Sequence, residues 1–299
     1  MQRFKALVQA QTTLLTVLPL LLGTIMAAYY YHHVNLGETF LLIFSAICFH
    51  LAVNGHNQLS DYRRYQNSTA AQNSTNNIIK CFDISIPWAY SVLAILLLLF
   101  AGSGLYLAYL SGWPLLLLGS LSFLVGYCYS GGPYPMSQIP LGELASGLAM
   151  GLNITLIGVY INIYNAPTYN NWFWLTGSIV TLPAVFTIAN IMLANNICDK
   201  DEDVVIGRKT LAYYLGTKHS LTLLQANYVL SYLGLILSAV LGYLPWLVLL
   251  SLLTVKSDYQ LVQGFVKAPD KVTTFPRNVL LFHKIVGLEV ILGLLGLLL

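Results

Sequence analysis

The chain has 299 residues, 57% hydrophobic and 8% charged, with a formal net charge of +3 and a mean hydropathy of +0.70. Soluble domains carry about 25% charged residues, so this composition excludes a soluble globular domain and describes an integral membrane protein. The small net charge gives no reason to expect a nucleic-acid partner, and the dispersed Cys48, Cys81, Cys128 and Cys198, with no C-x-x-C pair, signal neither disulfide nor zinc site.

Apolar segments of membrane length fall at 10–30, 37–56, 86–109, 113–130, 140–164, 172–196 and 219–243. A weaker one near 245–262 is interrupted by Lys256 and Asp258, and a last one covers 279–299. Long apolar runs, rather than alternating strands, predict an all-α, polytopic bundle of about nine transmembrane helices. Residues 1–299 read as one membrane domain without a dividing linker. The first run lacks a small-residue cleavage pattern and reads as a retained span.

With nine spans, all fourteen Lys and Arg fall on one side, as do ten of the eleven acids, leaving only Glu38 on the other. The positive-inside rule makes the charged side cytoplasmic and places the N-terminus there, in a cell membrane. The opposite loops are short, nearly uncharged and rich in Tyr and Trp, and His32 and His33 among them read as interfacial residues.

Two polar clusters stand out on the charged side. Asp199, Asp201, Glu202 and Asp203 put four acids in five residues directly after an apolar run. Carboxylates beside hydrocarbon are costly and mark a functional site. On a continuing helix with Asp199 at zero, Asn195 falls near about −40°, Asp203 near +40° and Asn196 near +60°, while Asp201 points away. The second cluster closes the second span. With Asn54 at zero, Asn57 lies near about −60°, Asp61 near −20° and Gln58 near +40°. His56 falls on another face. Two such helix ends facing each other form a cage of hard oxygen donors, suited to Mg²⁺ and to the phosphates it carries, with nearby Arg and Lys for the remaining oxygens.

Asn57-x-x-x-Asp61 with Asn54 upstream, and Asn195-Asn196-x-x-Asp199-x-x-x-Asp203 followed by Gly207-Arg208-Lys209-Thr210-Leu211, resemble the UbiA superfamily of intramembrane prenyltransferases. Within it, Tyr129 to Pro135 and Leu141-Gly142-Glu143 resemble the 1,4-dihydroxy-2-naphthoate polyprenyltransferases of menaquinone synthesis. The resemblance implies a bundle around a cavity open toward lipid, with a polyprenyl diphosphate and an aromatic acceptor as partners. Asn57, Asp61, Asp199 and Asp203 would hold Mg²⁺ and the diphosphate, with Asp61, Asp199 and Asp203 as the catalytic acids. Asn54, Gln58, Arg64, Lys80, Asn195, Asn196, Arg208 and Lys209 would stand around the diphosphate head, and Tyr129 and Tyr134 beside the acceptor. The implied reaction ionises the allylic C–O bond against the stabilised diphosphate. The electron-rich ring then captures the cation, giving demethylmenaquinone.

Some readings stay open on sequence. Arg208 and Lys209 serve as diphosphate ligands or topology anchors, and Glu143 orients the acceptor or caps a helix. Gln58 stands where the family carries Asp, so weaker metal binding is expected at the first motif than at the second. The Ser/Thr/Asn/Gln-rich loop Asn67 to Asn77 replaces a charged segment, leaving Lys80 as its cation, and Val8 to Thr12 replaces an Arg-Pro pair. The alternatives are a different aromatic acceptor, or a catalytically weakened lipid-binding or transport relative. Transport has less support, because paired broken spans in two halves are not seen.

Overall fold

The computed structural model describes residues 1–67, 78–205 and 207–299, which are helical with no strand among them. The chain runs through α1 (Gln2–Val8), α2 (Leu14–Tyr30), α3 (Leu36–Asn67), α4 (Ile78–Cys81), α5 (Ile86–Ser111) and α6 (Trp113–Ser130). Next, α7 (Gly142–Ser146) passes through a π-helical stretch (Gly147–Asn153) into α8 (Ile154–Ile163). α9 (Phe173–Val180), α10 (Leu182–Val205) and α11 (Leu211–Val240) follow. A 3₁₀ stretch (Trp246–Thr254) then leads into α12 (Val255–Lys267), and α13 (Pro276–Gly296) ends the bundle. The polar loop expected after α3 lies, at 68–77, outside the described residues.

Among the described residues, eight helices are long and apolar enough to cross a membrane. The weaker expected span is helical from Trp246 to Lys267, but its second half alternates apolar and charged faces. It runs the depth of the bundle all the same. Leu244 and Val248 pack in the cluster that holds Tyr31 and Ile163, whereas Val262 and Phe265 pack with Leu193 and Ile197. The run expected at 172–196 is broken instead into α9 and α10. Pro183 has no N–H to offer the Ile179 carbonyl, which accepts from the Ser238 hydroxyl of α11 at 3.4 Å.

Close backbone approach holds the centre. A Cβ on Gly23 would lie 2.3 Å from the Thr155 carbonyl, and one on Gly158 would lie 2.5 Å from that of Leu20, so α2 and α8 cross on two glycines. The π-helical stretch packs on α10 in the same way, with Gly151 against the Val185 backbone. By contrast, α5 and α6 turn Leu98, Leu105, Leu117 and Leu124 outward and form the thin, lipid-facing side of the bundle.

Candidate active site

A cavity of about 970 Å³ opens among α2, α3, α5, α6, α8 and α10. Leu20, Phe49, Phe100, Phe123, Ile157 and Ile191 give it apolar walls. Polar groups gather at one end: Asn57, Gln58 and Asp61 from α3, Asn195 and Asp199 from α10, and Arg208 and Lys271 from loops. The two acid-bearing helix ends therefore do face each other, and Asp61 lies within electrostatic reach of both Arg208 and Asp203.

Each carboxylate has its own cation. Asp61 pairs with Arg64 at 2.9 Å, Asp203 with Arg208 at 3.0 Å, and Asp199 with Lys271. The α6–α7 connection ties the two ends together. At its start, the Ser130 hydroxyl donates to Asn57 Oδ1 and the Ser130 carbonyl accepts from Arg64 at 2.7 Å. At its far end, the Ser137 carbonyl accepts from Arg208 at 3.1 Å and the Gln138 carbonyl from the Lys209 amide at 3.0 Å. Gly132, at φ +80°, supplies the left-handed turn between them. The stretch from Tyr129 to Gln138 is thus a strap between the acid motifs, with Tyr129, Ser130 and Ser137 in the cavity wall.

The single shared face read on α10 is divided by its neighbours. Asn195 and Asp199 point into the cavity, where the Asn195 amide donates to Asp199 at 3.0 Å. Asn196 and Asp203 fall on the adjoining stripe, against α7 and its preceding loop. There the Asn196 amide donates to Glu143 at 2.8 Å. Asn196 and Asp203 are consequently absent from the cavity lining, contrary to expectation. Glu143 does not line the cavity and holds Asn196 instead. Asp203 is buried at 3% exposure, with Oδ2 lacking a hydrogen-bond partner.

The other expected residues divide as follows. Asn54, Gln58 and Tyr129 line the cavity, although the Asn54 amide is committed to Val8 O and Thr12 Oγ1, both at 3.0 Å. Tyr134 is 81% exposed on the strap and does not reach the cavity. Lys80 sits exposed on α4, a short helix that packs on α1 and α3 away from the cavity mouth. The Lys209 ammonium lies over the Tyr213 ring instead. The Arg64 guanidinium is turned to Asp61 and Ser130 behind the lining. His56, expected on another face of the helix, stacks on Tyr127 and is absent from the cavity lining. Sequence reasoning missed Lys271, which it read only as a topology charge, and missed the role of Ser130 and Ser137. Only Ser130 lay inside a recognised motif.

A membrane-embedded helical bundle with an apolar cavity and a head of carboxylates, amides and cations defines an intramembrane, polar-headed lipid-substrate site. The chain belongs to the UbiA prenyltransferase family, whose pattern matches residues 16–275. It is 31% identical over 269 residues to the 1,4-dihydroxy-2-naphthoate octaprenyltransferase of Bacillus subtilis (strain 168), covering 87% of this chain and 81% of that protein. Its fold matches a UbiA homologue from Aeropyrum pernix K1 with a TM-score of 0.70 and 16% identity, over 96% of this chain and 97% of the other. It also matches a UbiA homologue from Archaeoglobus fulgidus bound to GPP and Mg²⁺, with a TM-score of 0.62 and 17% identity, over 99% and 100% of the two chains.

Proposed function

We propose that this chain transfers a polyprenyl group from its diphosphate to 1,4-dihydroxy-2-naphthoate, with Mg²⁺, giving demethylmenaquinone. The observation that carries the reading is the meeting of two acid-bearing helix ends at one mouth of an apolar cavity. The named activity of the Bacillus relative supports the acceptor. The GPP and Mg²⁺ of the Archaeoglobus homologue support the donor and the ion.

The donor set fits a hard divalent cation. Asp61, Asp199, Asn57, Gln58 and Asn195 on the cavity wall, with Asp203 behind them, offer only carboxylate and amide oxygens, and the unpartnered Oδ2 of Asp203 is a buried oxygen that an ion would satisfy. Among the described residues no three of His, Cys, Asp and Glu cluster to hold an ion. The amides and the diphosphate itself would therefore complete the shell. When bound, Mg²⁺ supplies charge neutralisation to the leaving diphosphate. Arg208 and Lys271, both at the mouth, are the cations able to turn toward diphosphate oxygens. The aromatic and aliphatic walls take the isoprenoid tail and keep water from the reacting carbon. Tyr129 lines the cavity beside the strap, and in this reading it contacts the acceptor ring.

In this reading the mouth and the N-terminus face the cytoplasm of a cell membrane, since the basic residues concentrate at that end. Membranes containing the chain, given the naphthoate, a polyprenyl diphosphate and Mg²⁺, form demethylmenaquinone detectable by chromatography. No product from folded protein, across several prenyl lengths, overturns the reading. Product from another phenolic acceptor alone would keep the donor half and replace the acceptor.

A further inference from the structure

Lys271 stands on the connection between α12 and α13, outside both acid motifs. Its ammonium donates to Asn195 Oδ1 at 2.6 Å and to Asp199 Oδ2, and lies 5.2 Å from the Phe275 ring centre. The turn that carries it is firmly built. The Asp270 carboxylate accepts from the Thr273 amide at 2.7 Å, the Thr273 hydroxyl at 2.6 Å and the Val272 amide at 3.1 Å. These bonds hold the Asp270 carboxyl below the usual carboxylate range. Thr274 closes the turn by donating to the Ala268 carbonyl at 2.8 Å.

The three cations of the site are not equivalent. Arg64 and Arg208 each have a backbone anchor on the α6–α7 strap besides their carboxylate. Among the described residues, Lys271 hydrogen-bonds only to the two oxygens of Asn195 and Asp199, and its side chain is 44% exposed. Those oxygens are the ones a divalent cation would use, and two cations drawn to the same pair of groups repel each other, so the ammonium and the metal ion compete there. An ammonium on a flexible four-carbon stem can leave and re-bond nearby at little cost.

We propose that Lys271 is an exchangeable counter-ion of the second acid motif. It holds Asn195 and Asp199 together before the divalent cation arrives, and moves onto the substrate's diphosphate when the cation takes their oxygens. The inference rests on the metal–diphosphate reading of this site. It gives Lys271 two effects of opposite sign, competing with the metal alone and assisting the metal–diphosphate complex.

The test uses the full chain in detergent, with Mn²⁺ binding read by electron paramagnetic resonance. Binding of geranyl S-thiolodiphosphate, a non-ionising donor analogue, is read by calorimetry at saturating Mn²⁺. In Lys271→Gln, Mn²⁺ alone binds on the order of threefold tighter, as expected for loss of a part-exposed ion-pair competitor. The analogue binds about tenfold weaker, as expected for loss of a charge-assisted phosphate contact. Lys271→Arg recovers most of the analogue affinity. A structural role would weaken both affinities together, and that outcome overturns the inference. Unchanged affinities in Lys271→Gln, with Mn²⁺ binding lost in Asp199→Asn, also sink it but leave the ion site standing. Equal Mn²⁺ binding by Asp199→Asn and wild type would remove the ion site itself, and the role of Lys271 with it.

Discussion

The two acid-bearing helix ends look alike in sequence and differ in how their polar groups are spent. At the end of α3, one carboxylate is present, and its neighbours are committed to the protein. Asn54 ties down the N-terminal segment, Asn57 takes the Ser130 hydroxyl, and Arg64 clasps Asp61 and the strap. At the end of α10, two carboxylates are held by cations from loops, and the buried Asp203 keeps an unsatisfied oxygen. The α3 end is built as a fixed wall of the site, while the α10 end carries charge that can be exchanged for a ligand. The difference makes α10 the stronger half of the proposed ion cage.

Removing charge from α10 is the severest challenge to that asymmetry. Asp199→Ala and Asp203→Asn are each expected to lower turnover by about 10³-fold or more in the membrane assay, the scale seen when a group aimed at developing charge is lost. Asp61→Ala is expected to cost less, about 10²-fold, with the loss partly recovered at high Mg²⁺. Equal losses at both ends would erase the distinction. Gln58→Asp returns a carboxylate to the α3 end and is expected to lower the Mg²⁺ concentration for half-maximal rate by several-fold, about 1 kcal/mol at a partly solvated site. No change in the Mg²⁺ titration would mean that position 58 does not meet the ion. The smallest effect belongs to Asp201→Ala. That side chain is 98% exposed, and turnover within about twofold of wild type is expected for such a surface change. A large loss there would place the ion on the wrong stripe of α10.

Much of the site was legible because its chemistry is local to two helix ends. The spacing of Asn57 and Asp61, and of Asn195, Asp199 and Asp203, follows helix geometry, and Asp201 points away as that geometry requires. What could not be read was which neighbour each stripe meets. Asn196 and Asp203 lie within a small rotation of Asn195 and Asp199, yet α7 intervenes and turns Asn196 to Glu143. On sequence, Lys80 reads as the loop cation of the first motif, and Lys271 only as a topology charge. Only the path of the chain brings Lys271 to Asp199, across a separation in sequence that no local pattern encodes.

By itself, the sequence determined the membrane habit, the helical class and the oxygen-rich character of the two motifs. These follow from composition and from residues a turn or two apart. The tertiary structure alone decided that α9 and α10 are separate helices, that the weak span Trp246–Lys267 runs the depth of the bundle, and that the α6–α7 strap joins the two motifs. Those outcomes depend on contacts between distant segments: a Ser238 hydroxyl on the Ile179 carbonyl, apolar clusters at both ends of the bundle, and serine carbonyls placed to receive two arginines. In a membrane every polar group must find its partner inside the protein, so the partners are chosen by packing and not by sequence neighbours.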